Sequence, residues 1–421
     1  MKIRRGITAG GTVLAALLLS TALFTGTAEG QRVKERLFDA VEAGRNEEVE
    51  RLIAGGADLE AKDFLDRTAL MIAIENNNTD TALLLLEKGA DQDARDISGR
   101  TPLMVAVWRG NNEIARLLIE RGVKVNRRYV SGRTVLMVAS WNGNTGIARL
   151  LIGKGAKVNL RDEYDMTALM HAASYGRTDA ARLLVEAGAK MDRKDLSGKT
   201  ALIHASWNGN TDTARLLLEK GAKKDLKDEN LRTALMTAAW HGHTKTAGLL
   251  IEKGVKKDEK DEEGKTALMY AAWHGHVNTS RLLLEKGVAR DEKDDYGKTA
   301  LMIAVWHGHS DVAEFLIEED AERDEKDNTG KTALMYTAWL DNPGVARLLL
   351  EKGVDVDARE ETGRTALMIA AWHGSTRIAL FLLEKGAGLS EKDSAGKTAL
   401  ALARESGHAD IESILLRAGA K

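Results

Sequence analysis

The chain repeats itself every 33 residues, and this period constrains the fold more than any other feature of the sequence. A constant period of this length predicts a stacked array in which each unit packs on its neighbours. Leu37 continues the register upstream, so about twelve units run from residue 31 to Lys421. Threonine, followed two residues later by leucine, marks the period without insertion or deletion at positions 68, 101, 134, 167, 200, 233, 266, 299, 332, 365 and 398.

Each unit predicts two helices and a loop. In one unit, Thr266 is suited to cap a first helix that runs to Trp273, because its hydroxyl can accept from a free first-turn amide. Gly275 breaks this helix, and a second helix ends at Gly287. The polar, turn-rich segment 291–298 then leads into the next unit. The first helix is apolar around most of its circumference, so it must be covered on several sides.

The unit beginning at Thr266 reads TALMYAAWHGH and later LLLEKG, and it strongly resembles the ankyrin repeat family. The resemblance implies an all-α fold, an ankyrin-repeat solenoid of about twelve 33-residue helix-turn-helix units with β-hairpin-like loops. It also implies a protein that binds other proteins and has no catalytic residues. We expect a single array over residues 29–421, with capping units at 31–66 and 397–421 around ten internal units at 67–396.

The sequence departs from the family pattern in two ways. The family's histidine after leucine is replaced by methionine in nine units, so packing is expected to replace a polar tie. The glycine before the threonine is missing at Asp66, Asp165 and Leu231, and we expect those loops to be strained or differently shaped.

The first 28 residues resemble an export signal. Lys2, Arg4 and Arg5 precede an apolar run from Val13 to Phe24, and small residues up to Ala28 suggest cleavage near Glu29. The run is short for a membrane span, which needs about 20 apolar residues. We therefore expect a periplasmic or secreted protein, and a membrane anchor only if this segment stays uncleaved.

Composition excludes several chemistries. The chain has no cysteine, so disulfides, iron–sulfur clusters and cysteine nucleophiles are impossible. Removing the three bases of the signal from the total of 61 leaves 58 basic against 63 acidic residues, a formal charge of −5. A nucleic-acid partner usually requires a basic excess, so none is expected. No cofactor is expected either.

All eight tryptophans fall at one position of the repeat. By resemblance, this position and the next lie near the end of the first helix, on a concave face that the family uses for partners. Rings on stacked helices should be about 8–10 Å apart. The alternative is that each ring only packs between helices. The candidate partner-binding residues are Trp108, Trp141, Trp207, Trp240, His241, Trp273, His274, Trp306, His307, Trp339, Trp372 and His373.

A second set of histidines, His243, His276, His309 and His408, matches a structural histidine of the family. Histidines one repeat apart are too distant to share a zinc ion, whose nitrogen ligands lie about 2.0–2.1 Å away. Histidines two residues apart, such as His241 and His243, point in different directions. We therefore expect no metal site.

Two loop positions are basic. One precedes the threonine in ten of eleven loops. We expect the bases at both positions to form exposed ion pairs with adjacent acids such as Asp261, Asp294 and Asp327. The alternative is that these bases bind an acidic stretch of a partner. The other position is occupied by Lys62, Arg95, Arg128, Arg161, Lys194, Lys227, Lys260, Lys293, Lys326, Arg359 and Lys392.

These features favour a non-enzymatic scaffold that binds a partner protein or peptide through the concave groove. No distinct convergent cluster is available for catalysis, because every candidate side chain recurs in many units. The alternative is binding of a cell-wall glycan or other polysaccharide through the tryptophan ladder, since spaced indole rings can stack on sugar faces.

Overall fold

The computed structural model describes residues 29–421, and the expected signal peptide at 1–28 lies outside them. The described residues contain no β-strand longer than an isolated bridge. The two bridges pair Lys62 with Thr68 and Arg128 with Thr134. A short 3-10 helix spans Val130–Gly132. The α-helices are α1 (29–42), α2 (Asn46–Ala54), α3 (Ala69–Glu75), α4 (Thr79–Glu87), α5 (Pro102–Arg109), α6 (Asn112–Glu120), α7 (Val135–Asn142), α8 (Thr145–Gly153), α9 (Ala168–Ser174), α10 (Thr178–Glu186), α11 (Ala201–Trp207), α12 (Thr211–Glu219), α13 (Ala234–Trp240), α14 (Thr244–Glu252), α15 (Ala267–Trp273), α16 (Val277–Glu285), α17 (Ala300–Trp306), α18 (Ser310–Glu318), α19 (Ala333–Leu340), α20 (Pro343–Glu351), α21 (Ala366–His373), α22 (Thr376–Glu384), α23 (Ala399–Glu405) and α24 (Ala409–Arg417).

The chain divides into two compact units. The first comprises the residues up to Ala172 with Asp179–Ala189, and the second comprises Ala173–Thr178 with Lys190–Lys421. In the first unit, α3, α5 and α7 pack in one row and α2, α4, α6 and α8 in another. In the second unit the odd-numbered helices α11 to α23 form one row and the even-numbered helices α12 to α24 the other. Each unit is therefore a stack of helix-turn-helix repeats, as the period predicts.

Threonine caps the first helix of the repeats, as predicted. The Thr266 hydroxyl accepts from the amide of Met269 at 3.4 Å, and the same bond forms in every repeat from Thr101 to Thr398. The sulfur of Met269 lies 3.4 Å from the Thr266 amide nitrogen and accepts from it in return. Met137, Met170 and Met236 do the same. These four methionines thus supply a local polar contact as well as packing.

The core lies along the first helices. All six residues from Ala267 to Ala272 are buried, because neighbouring first helices cover this segment on both sides. Ala271 and Ala272 are fully buried, and their small side chains allow the close approach of helices. Leu283 contributes the buried face of the second helix.

Hydrogen bonds connect the loops in series. The Asp261 carboxylate accepts from the amides of Glu263 and Lys265, which closes a tight turn. The Glu262 amide donates to the Asn230 carbonyl of the preceding loop at 3.2 Å. Equivalent bonds start at the amides of Ile97, Val130, Glu163, Glu229, Asp295, Asn328, Glu361 and Ser394. The loops therefore form hairpin-like turns without continuous strands in the described residues.

The three loops without glycine are strained, as predicted. Asp66, Asp165 and Leu231 have φ values of 59°, 59° and 57°, in the left-handed region that side chains other than glycine disfavour. Asp320, which replaces the glycine after a second helix, has φ 60°. The repeat geometry is maintained at these positions against the local preference of the residue.

None of the helices described is both long and apolar enough to span a membrane.

Candidate functional site

The tryptophan side chains lie at the ends of the first helices and keep part of their surface exposed. None of the eight is buried, and Trp108, Trp339 and Trp306 are the most exposed at 47%, 42% and 38%. Trp108 and Trp141 belong to the first unit, and the six tryptophans from Trp207 to Trp372 belong to the second. The rings are therefore not fully enclosed between the helices. We call the six tryptophans of the second unit, with His241, His274, His307 and His373, the Trp–His column.

The rings lie closer together than the predicted 8–10 Å. Ring centroids are 5.8 Å apart for Trp108 and Trp141, and 6.3 Å apart for Trp207 and Trp240. Trp306 and Trp339 are separated by 6.4 Å and meet edge to face at 64°. Long side chains can lean along the stack, so the separation of rings differs from the separation of helix axes. This corrects the prediction from helix spacing.

Histidines interleave with the tryptophans of the second unit. The His274 ring stacks on Trp240 of the preceding repeat, with centroids 5.1 Å apart and planes inclined by 25°. His307 stacks in the same way on Trp273 at 4.7 Å. His373 stacks on Trp339 with centroids 4.7 Å apart. The His241 ring lies 4.4 Å from that of Trp207, with the two planes inclined by 55°. The four histidine candidates are thus brought together with tryptophan candidates, each pair spanning two repeats.

These imidazoles are held towards their neutral form. Burial lowers the pKa of His274, and the nearby His276, His307 and His309 lower it further. The pKa values of His241, His307 and His373 are lowered by burial too, and then by neighbouring positive groups. Near neutral pH the histidines of the Trp–His column therefore act as aromatic surfaces and hydrogen-bonding groups, not as cations.

A cation lies over most of the tryptophan rings, a contact that was not predicted from the sequence. Lys199 Nζ is 4.0 Å from the ring centroid of Trp207, and Lys265 Nζ is 4.9 Å from that of Trp273. These bases are the loop residues immediately before the threonine, eight positions before the tryptophan. The constant spacing of eight residues between base and tryptophan could have predicted this contact from the sequence. The same contact joins Arg133 to Trp141, Arg232 to Trp240, Lys298 to Trp306, Lys331 to Trp339 and Arg364 to Trp372.

The alternation of rings is interrupted at Trp306. The residue that would stack on Trp306 is Leu340, where the other repeats of this stretch have histidine. Trp306 instead meets Tyr336 edge to face at 5.2 Å. Its exposed indole is therefore contacted differently from those of Trp240 and Trp273, which both carry a stacked imidazole.

The second histidine set is structural, as predicted. His276 Nε2 lies 2.9 Å from the Trp240 carbonyl oxygen, and His309 Nε2 lies 2.8 Å from that of Trp273. His243 and His408 make the same bond to Trp207 and Trp372. Within the described residues, no three or more histidine, aspartate or glutamate side chains are grouped to hold a metal ion.

The outer basic loop residues hold the loops together. Lys260 Nζ donates to the Lys293 carbonyl at 2.8 Å and forms an ion pair with Glu292 at 2.9 Å. The acid paired with this outer base is therefore a glutamate of the next loop and not one of the aspartates expected. The bases immediately before the threonine do pair with loop aspartates, as Arg67 does with Asp63 and Arg232 with Asp228. The same donation to the next loop is made by Lys62, Arg95, Lys194, Lys227, Lys293, Lys326 and Arg359.

Comparison with known proteins agrees with this architecture. A family model described as ankyrin repeats in three copies matches residues 37–129, 136–228, 187–261, 235–327, 287–360, 317–393 and 357–421. A second model, ankyrin repeats in many copies, matches residues 109–152. No curated protein sequence matches the chain. Ankyrin repeats indicate a scaffold for protein–protein interaction. With matches over nearly all of residues 37–421, the chain belongs to the ankyrin repeat family.

Proposed function

We propose that this protein is a non-enzymatic scaffold that binds a partner protein or peptide through the Trp–His column. The observation that carries the proposal is the set of part-exposed indoles, each fixed by contacts to neighbouring side chains. Tryptophan buries a large area with few rotatable bonds, and it is enriched at binding hot spots. Side chains already fixed before binding lose less conformational entropy when a partner docks.

The surroundings of the rings favour a protein partner over a glycan. A sugar needs an open ring face, but at Trp273 a stacked imidazole and a lysine ammonium both cover face area. The same holds at Trp240 and Trp339. At Trp207 the imidazole is tilted, and a lysine ammonium lies over the ring. The remaining exposed edges suit apolar and aromatic side chains of a polypeptide, which can approach an indole edge.

A capture experiment tests this proposal. The protein and a variant with Trp240, Trp273 and Trp306 changed to Ala are immobilised, and bound proteins are identified and then purified. We expect a purified partner to bind the unsubstituted protein and to lose most of its affinity for the variant. Retention on peptidoglycan or another polysaccharide that depends on the three tryptophans would instead support the glycan alternative and contradict the proposal.

We also propose that the protein acts outside the cytoplasm, in the periplasm or after secretion. The basis is the N-terminal pattern of three bases, an apolar run and small residues up to Ala28. Sequencing the N-terminus of the protein isolated from its native compartment tests this. A start near Glu29 supports export with cleavage, whereas an intact Met1 in a cytosolic fraction would refute it.

A further inference from the structure

One loop aspartate lacks the side-chain partner that its equivalents have. Asp294 Oδ1 accepts from the amides of Tyr296 and Lys298, as in the other turns. Its Oδ2 has no hydrogen-bond or ion-pair partner, although the residue is only 7% exposed. No protein group donates to this oxygen, so its hydrogen bond is left to water or to a ligand.

The equivalent aspartates show what is missing. The residue nine positions later supplies a donor in several repeats: Tyr270 donates its hydroxyl to Asp261, and Tyr336 donates its hydroxyl to Asp327. The residue nine positions after Asp294 is Ile303, which has no donor. The other equivalents pair with a base or a histidine: Asp63 with Arg67, Asp96 with Arg100, Asp162 with His171, Asp195 with His204, Asp228 with Arg232 and Asp393 with Arg364.

The pKa of the Asp294 carboxyl reflects this missing donor. Burial raises the pKa of Asp294 above its ordinary value, and the amides of Lys298 and Tyr296 offset this only in part. At Asp327 burial also acts to raise the pKa, but the Tyr336 hydroxyl and the loop amides outweigh it and leave the pKa lowered. The hydrogen bond from Tyr336 therefore stabilises the ionised form of Asp327, and Asp294 lacks an equivalent bond.

Asp294 lines an open cavity of about 310 Å³ in the second unit, together with Trp273, Tyr296, Ile303 and Trp306. A cavity of about 150 Å³ is enough to hold one benzene ring. Two ammonium groups, those of Lys265 and Lys298, also line it. Glu263 pairs with Lys265, whereas Lys298 has no carboxylate partner and lies over the Trp306 ring at 4.9 Å. A neutral donor suits Asp294 because it would not add a third positive charge to the two that already line the cavity.

We propose that this cavity is the subsite of the Trp–His column that receives a tyrosine side chain of the partner, whose hydroxyl donates to Asp294 Oδ2. The partner's phenol would take the place that Tyr270 and Tyr336 fill at the neighbouring aspartates, and its ring would pack among Trp273 and Trp306. The inference rests on the proposed function, because it names the kind of side chain that the column recognises.

The first test measures ligand preference on the full chain. N-acetyl-L-tyrosinamide and N-acetyl-L-phenylalaninamide are titrated while NMR follows the indole N–H signals of Trp273 and Trp306. We expect the tyrosine probe to bind at least about tenfold more tightly, since a hydrogen bond to a charged group is added. Equal affinity for the two probes would overturn the inference. Tighter binding of a lysine probe (N-acetyl-L-lysinamide) or an aspartate probe (the amide of N-acetyl-L-aspartate) than of the tyrosine probe would overturn it as well.

The second test fills the subsite from within. The Ile303→Tyr variant supplies a hydroxyl to Asp294 from its own helix, and we expect it to lose the preference for the tyrosine probe. If that variant does not fold, as judged by circular dichroism, Asp294→Asn replaces it and is expected to reduce the same preference. Undiminished preference in a folded variant of either kind would refute the assignment.

A matched change elsewhere should create a second subsite. Tyr336→Ile removes the donor from Asp327, which lines an adjoining cavity of about 230 Å³ with Trp306 and Trp339. The folded variant should gain a tyrosine-dependent shift of the Trp339 indole signal, and no gain would count against the inference. These probes require no natural partner. A partner whose binding depends on the tryptophans but is unaffected by Ile303→Tyr would leave the scaffold proposal standing and overturn only the tyrosine subsite.

Discussion

His276 reaches back into the preceding repeat, where its Nε2 lies 2.9 Å from the carbonyl oxygen of Trp240. Two residues earlier, His274 stacks its ring on the indole of the same tryptophan. The histidine after the glycine thus fixes the backbone at Trp240, and the histidine before the glycine contacts its side chain. These two roles have different consequences for stability and for binding.

Replacing His276 should destabilise the fold more than replacing His274. The His276→Ala variant leaves the part-buried Trp240 carbonyl without this donor, which costs about 1–3 kcal/mol. His274→Ala removes a half-exposed stacking contact worth about 0.5–1.5 kcal/mol. The midpoints of urea unfolding, followed by circular dichroism, compare the two. An equal or larger loss for His274→Ala would contradict the division of roles.

Gly275 and Gly308 form a matched pair of positions. Both have positive φ, 74° and 76°. A Cβ on Gly275 would lie 2.6 Å from the His309 imidazole, whereas a Cβ on Gly308 would meet nothing within 4 Å. Both alanine variants should lose about 1 kcal/mol from the backbone conformation. Gly275→Ala should lose about 1–3 kcal/mol more because of the clash. Indistinguishable unfolding midpoints would show that the histidine moves aside freely.

Leu231→Gly should stabilise the protein. Leu231 adopts φ 57° at a loop position where most repeats have glycine, and its side chain is largely exposed. Relief of the strain gains about 1–3 kcal/mol, of which roughly 0.5–1 kcal/mol is offset by the entropy of glycine. A raised midpoint of thermal or urea unfolding is the expected result, with Gly264→Ala as the opposite control. Destabilisation by Leu231→Gly would mean that the side chain contributes packing that its exposure does not suggest.

Stability should fall as the pH drops below about 6.5, the ordinary pKa of histidine in an unfolded chain. The pKa values of His241, His274, His307 and His373 are lowered in the fold, first by burial. The unfolded state therefore binds more protons than the folded state below that pH, so protonation favours unfolding. The contribution is fully present above the unfolded pKa and is lost as the pH falls towards the lowered pKa values.

The variant with all four histidines changed to Gln isolates this effect. Between about pH 7.5 and about pH 5.5 its urea midpoint should change less than that of the unsubstituted protein. His171 and His204, which pair with Asp162 and Asp195, stay in both proteins and cancel in the comparison. An unchanged pH dependence would show that the stacked histidines are not the groups that titrate.

The repeat itself, its caps and its strained loops follow from the sequence, because each depends on local chemistry. Threonine before an apolar run predicts the cap that Thr266 forms with the Met269 amide. A missing glycine predicts the positive φ of Leu231, since the array enforces the loop conformation whatever residue is present. Both inferences need only the period and the conformational preferences of single residues.

The contacts of long side chains did not follow from the sequence. Lys265 reaches Trp273 eight residues away, and Lys260 reaches the carbonyl of Lys293 in the next loop. A flexible side chain has several acceptors within reach, and the nearest acid in sequence is often not its partner. The lack of a protein donor to Asp294 Oδ2 did not follow either, because it depends on Ile303, a residue of another element.

The most direct measurement of the central claim is the affinity of a purified partner for two matched variants. One carries Trp306→Ala and Trp339→Ala within the Trp–His column, and the other carries Leu380→Ala and Leu416→Ala. The four side chains are similarly exposed, between 38% and 46%. Contact through the column predicts a loss of at least about tenfold for the tryptophan variant, as for hot-spot residues, and little change for the leucine variant. Equal affinity of the two folded variants would contradict the claim that the tryptophans bind the partner.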